Sequence, residues 1–212
     1  MDIIDNYNDL MLGQYMAIQA ISRQEGLEEI DRQAQILAIL TGQEAEEILH
    51  LPIGDYKDLV ARADFLSLPE IPHPRVAKKY IAGKFELIPV RDFRKLEACQ
   101  YVDFQTYAPD LENRLVEFLS VILVPKGHRY NDGYDILDVQ KAIREDMSVA
   151  DGISLAGFFL SWCRRSILNS LASSKQEAMR IRDKARREKI LEEIRHQEEI
   201  LQEGGDGSQT LT

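Results

Sequence analysis

MLGQYMAIQAI at residues 11–21 and EACQYVDFQTY at residues 97–107 decide the reading of this chain, because Gln14, Tyr15 and Gln19 recur as Gln100, Tyr101 and Gln105 at a constant shift. Apolar residues three or four apart make both segments helical. Working outward, Ile36-Leu-Ala-Ile-Leu40 meets Leu119-Ser-Val-Ile-Leu123, and LVARADFL at 59–66 meets ISLAGFFL at 153–160. Amphipathic helices of matching spacing always look somewhat alike, but here three pairs recur in the same order, which favours duplication. The fold expected is mainly α: two similar helical bundles, an internal repeat, linked by a small β-hairpin. The extra residues of the second copy belong in the turn-rich loop at 125–135.

In the first half the pattern predicts helices over 10–24, 28–40, 44–49 and 53–66. A break follows at 69–74, where Pro69, Pro72 and Pro74 remove donors and bar helix. Residues 76–81 and 85–90 read as strands joined by Ala82-Gly83-Lys84, the only sheet expected. Helices resume over 91–106, 110–124, 135–146 and 149–171. Capping boxes are expected at Thr41 with Glu44 and at Ser174 with Glu177, and a weaker one at Ser148 with Asp151. The modules are therefore 1–68, a Pro-rich linker and hairpin over 69–93, 94–172, a charged extended helix over 173–203, and a disordered tail over 204–212.

A chain of 212 residues can bury a core without staples. Its two cysteines, Cys99 and Cys163, lie in apolar stretches and point to a reducing compartment. The acidic opening MDIIDNYND does not resemble an export signal, and the apolar window 153–163 is too short for a membrane span. A formal charge of -10 disfavours nucleic acid as a partner.

Glycine patterns for dinucleotides or P-loops, nucleophile elbows and Cys-x-x-Cys pairs are absent from the sequence. Glu47/His50 and Glu193/His196 have the spacing of di-iron bundle ligands, but the second pair sits in the charged tail, so neither a metal nor a cofactor is expected. Asn131 to Asp135 has calcium-loop residues without the closing glutamate and reads as a turn. His128 and His73 suggest nothing beyond surface positions. The basic cluster after Lys175, with Arg180, Arg182, Arg186 and Arg187, could meet an acidic partner, although interleaved glutamates also suit a solvated helix.

In arrangement, LGQYMAIQAI, QILAILTG, EEILHLPIGDYKDLVARADFL, the hairpin KKYIAGKFELIPV and the second QYVDFQ helix resemble the small tail assembly chaperones of tailed bacteriophages, over residues 8 to 171. That resemblance implies a non-enzymatic protein of the host cell cytoplasm that coats the long tape-measure protein, or another tail protein, until the tube polymerises around it. Self-association stays open, as do a structural virion or adaptor role and, further off, a helical-bundle metal enzyme. The partner-binding residues expected are Leu59, Phe65, Leu66, Ile153, Phe159 and Leu160 for an apolar groove, with Arg180, Arg182, Arg186 and Arg187 for charge.

Overall fold

In the computed structural model, residues 2–68, 71–72, 74–92, 95–180 and 188–198 are described. Among them the chain is mainly helical with one small antiparallel sheet, and it divides into two units, Met1–Ala156 and Gly157–Thr212. The first predicted module, 1–68, lies within the first unit, whereas the second, 94–172, is cut by the boundary after Ala156.

That unit opens with α1 (Leu12–Ser22), α2 (Glu29–Thr41), α3 (Ala45–Leu49) and α4 (Ile53–Arg62). The last continues as a 3₁₀ segment over Ala63–Ser67 rather than as α-helix to Leu66. Gly42, at φ 70°, ends α2 in the left-handed conformation that a side chain resists. Thr41 does not cap the following helix: its hydroxyl bonds back to the Leu37 carbonyl at 2.7 Å, and Glu44 occupies the N-cap of α3.

The hairpin is shorter than expected and has a third strand. β1 (Tyr80–Ala82) pairs with β2 (Phe85–Pro89) across the two-residue turn Gly83-Lys84, with Gly83 at the positive φ such turns require. β2 pairs in turn with β3 (Leu123–Pro125), where a helix was expected to end at Val124 and a loop to begin at Pro125. Pro125 and β-branched Val124 end the helical run there. Glu86 lies between Lys126, just after β3, and Lys79, just before β1, and these ammonium groups hold its carboxyl below the usual range. At the hairpin tip the Gly83 N–H donates to Asp146, and Lys84 reaches Asp138 at 3.0 Å, so the turn is anchored on the helix over Ile136–Asp146.

Three more helices complete the unit: α5 (Ala98–Tyr107), α6 (Leu111–Ile122) and α7 (Ile136–Asp146), before α8 (Val149–Met179) begins. The core centres on α6, whose Phe118, Leu119 and Ile122 are wholly buried. α5 starts at Ala98, not at Arg91, because the Gln100 side chain accepts from the Glu97 N–H at 3.3 Å and closes the first turn there. Ser148 does cap α8, accepting from the Asp151 N–H at 3.2 Å, whereas Ser174 lies inside that helix and starts nothing.

Three hydrogen bonds of the first half have counterparts in the second. The Ile4 N–H donates to the Leu40 carbonyl at 3.0 Å, and the Val90 N–H to Ile122 at 2.8 Å. Gln14 accepts from the Met11 N–H at 3.0 Å and donates to the Ile39 carbonyl at 3.4 Å. Gln100 accepts from Glu97 and donates to Val121 at 2.5 Å. The recurring glutamine thus closes the first turn of its own helix and ties that helix to the end of the next.

The start of α1 lies against the α7–α8 corner. Leu12 N–H donates to Met147 at 2.9 Å, and Val149 N–H to Leu10 at 2.8 Å. Glycine permits the approach: a Cβ on Gly13 would lie 2.9 Å from the Arg144 carbonyl oxygen, and one on Gly152 would lie 2.8 Å from a Leu12 methyl.

In the second unit α8 runs unbroken past the expected end at Leu171 to Met179, and a further helix covers 188–198. The single extended helix expected over 173–203 is not formed. Glu198 lies 3.4 Å from Lys175, whereas a continuous helix would hold residues 23 positions apart at about 34 Å. Ala178 and Ile194 are both buried in this unit. The tail 204–212 lies outside the described residues.

Candidate functional site

An open groove of about 310 Å³ lies in the first unit between α1, α2 and the α4–3₁₀ segment. Its geometry follows from helix periodicity. Tyr15, Ile18, Gln19 and Ser22 are spaced to share one face of α1, and Gln33, Ile36 and Leu37 do the same on α2. The third wall carries Val60, Ala63 and Leu66, with Asp64 and Ser67 at its rim. Aliphatic groups form most of the floor, and amides and hydroxyls are placed around them.

The walls are held by polar contacts outside the floor. Tyr56 donates to Gln33 at 3.1 Å, and Gln33 in turn donates to Glu29 at 3.1 Å, which fixes the amide on α2. Tyr7 donates to the Leu66 carbonyl at 3.3 Å, and its ring meets Phe65 and Tyr15 edge-on, at centroid distances of 5.1 and 6.5 Å. Burial pushes the Tyr7 and Tyr15 hydroxyls above their ordinary range, so both stay protonated at neutral pH.

Of the residues expected to bind a partner, Leu66 lines this groove and Phe65 is half-buried behind it against Tyr7. Leu59 is 4% exposed and Phe159 wholly buried, its ring 5.8 Å from Trp162, so both are packing residues. Ile153 and Leu160 are half-buried. Arg180 is exposed at the turn after α8, and Arg182, Arg186 and Arg187 lie outside the described residues. Tyr15 and Gln19 were visible as recurring residues. Their recurrence suggests a structural repeat and does not single out a surface.

Elsewhere the polar features are structural. In the loop after β3, Tyr130 donates to Asp103 at 2.8 Å and Arg129 pairs with Glu97 at 2.9 Å, both carboxylates of the α5 segment. Burial and the Asp103 carboxylate raise the Tyr130 hydroxyl far above its ordinary range. His128 packs edge-on against Tyr134, and Asp135 caps α7 by accepting from Leu137 at 2.8 Å. His50 is exposed, its ring nitrogen 2.7 Å from the Glu46 carbonyl. Among the described residues no group of His, Cys, Asp and Glu could hold a metal ion, and no helix is long and apolar enough to cross a membrane.

No protein-family model, curated protein or solved structure matches the chain.

Proposed function

We propose that the chain is a non-enzymatic assembly protein that grips a helical segment of a longer partner, and that it serves as a phage tail assembly chaperone for the tape-measure protein in the host cytoplasm. The observation that carries this is the groove: an open, largely aliphatic channel bounded by helices, with hydroxyl and amide groups along its edges. Helix-in-groove recognition wants this composition, an apolar floor for anchors spaced three and four apart and polar edges that keep the free protein in solution. Exposed apolar residues on neighbouring elements, Leu49 and Ile53 among them, would extend such a contact beyond the groove. The equivalent hydrogen bonds of the two halves support reading them as copies of one ancestral helical module, and repeated modules suit a client that is itself long and repetitive.

The test is co-expression with a tape-measure-type protein that is insoluble alone. A soluble complex that co-elutes in size-exclusion chromatography is expected. An insoluble client and a chain eluting by itself would end this reading. Recovery of the chain from purified, washed particles would replace it with a structural role in the virion.

A further inference from the structure

The two halves, aligned by their hydrogen bonds, differ at the groove. Ile18 follows Gln14 by four positions, as Phe104 follows Gln100. Ile36 precedes Ile39 by three positions, as Phe118 precedes Val121, which shifts the sequence match of Ile36 with Leu119 by one residue. In the second half these two phenylalanines are buried with their ring centroids 5.6 Å apart, filling the space between α5 and α6. In the first half the corresponding isoleucines, Ile18 buried and Ile36 half-buried, line the groove that α1 and α2 form with the α4–3₁₀ segment.

Charge then narrows the occupant. Residues 1–68 hold thirteen Asp and Glu against four cations, Arg23, Arg32, Lys57 and Arg62. Three of the four are committed: Arg23 to Glu112, Arg32 to Glu29 and Arg62 to Asp5. Asp64, the one ionisable carboxyl lining the groove, is exposed and forms no ion pair among the described residues. An apolar floor set in an uncompensated anionic field favours a cationic guest.

We infer that this groove docks an amphipathic helix of a partner protein whose aliphatic stripe is flanked by lysine or arginine. The inference rests on the proposed chaperone reading and names both the site and the chemistry of the client segment. Aliphatic side chains of the guest enter between Ile18, Ile36 and Leu66, and its basic residues lie over Asp64 and the acidic flank of α2.

Two fluorescein-labelled peptides of about 20 residues, long enough to hold helix, test it: one has a leucine–alanine stripe flanked by lysines, the other the same stripe flanked by glutamates. Binding to the full chain is read by fluorescence anisotropy. The lysine peptide should bind at least about ten-fold tighter than the glutamate peptide, and that preference should shrink as salt rises from about 0.05 to about 0.5 M. Ile18→Phe with Ile36→Phe, which copies the filled half, should weaken binding at least about ten-fold by excluding side chains from the floor. Asp64→Lys, on an exposed position, should erase most of the preference for lysine even if the double variant is poorly folded. Equal binding of both peptides, no binding of either, or full binding to Asp64→Lys with the preference intact overturns the inference. Failure of both peptides while the co-expressed client still forms its complex would discard the groove and its charge rule without touching the chaperone reading.

Discussion

Gly13 and Gly157 are both helical, yet they should respond in opposite ways to alanine. At Gly13 the new methyl meets the Arg144 carbonyl oxygen at 2.9 Å, and overpacking of that kind costs about 1–3 kcal/mol, more than the ~1 kcal/mol of helix propensity regained. At Gly157 nothing lies within 4 Å, so only the propensity gain remains. Urea unfolding of the full chain should therefore show Gly13→Ala destabilised and Gly157→Ala neutral or stabilised. The same response at both sites would mean that α1 does not approach α7 so closely. The cysteines separate similarly. Cys99 is exposed, whereas burial pushes the Cys163 thiol up to about 12, so it holds almost no thiolate at neutral pH. A chromogenic disulfide reagent should titrate one thiol in the folded chain and two in denaturant.

At the scale of elements, the recurring glutamines should not be equally important. Gln100 is 2% exposed, so Gln100→Ala strands the buried Val121 carbonyl away from water and removes the acceptor of the half-buried Glu97 N–H, at a cost of about 1–3 kcal/mol. Gln14 is only part-buried and its second bond is long, so Gln14→Ala should cost about 1 kcal/mol or less. Thermal melts of the two variants check the order. In the second unit, Ile194→Asp should detach the 188–198 helix by placing a carboxylate at a buried position. Faster proteolysis confined to residues after Met179 would be its signature, and a cleavage pattern like that of the unaltered chain would contradict the packing.

Helix positions were legible because apolar spacing of three and four persists through α1, α2, α6 and α7. Their ends were less so. Thr41 and Ser174 have the residue types of capping boxes, but the hydroxyl of the first bonds to the Leu37 carbonyl one turn back in α2, and the second lies mid-helix. β3 was missed because its three residues form a strand only by pairing with β2, a contact between residues far apart in sequence. The groove was half legible: Leu66 was expected to bind a partner, but Ile18 and Ile36 take their meaning from spatial neighbours and from comparison with Phe104 and Phe118. Matching segments 59–66 and 153–160 directed attention to Leu59 and Phe159, which share their periodicity with core residues because they are core residues.

Over the whole molecule, charge is unevenly distributed: most of the surplus of -10 belongs to residues 1–68, which also carry the groove. An acidic surface keeps a protein with an open apolar channel soluble and discourages copies of that surface from stacking on each other. It also speeds encounter with a basic segment, so association with a cationic client should slow as salt rises. Hydrogen–deuterium exchange of the full chain, alone and in complex with a co-expressed tape-measure-type client, tests the central claim most directly. Slower exchange on binding is expected along α1, α2 and the 3₁₀ segment over Ala63–Ser67, with α5 and α6 little changed. A complex that protects only other elements, or a mixture in which no segment changes its rate, would contradict it.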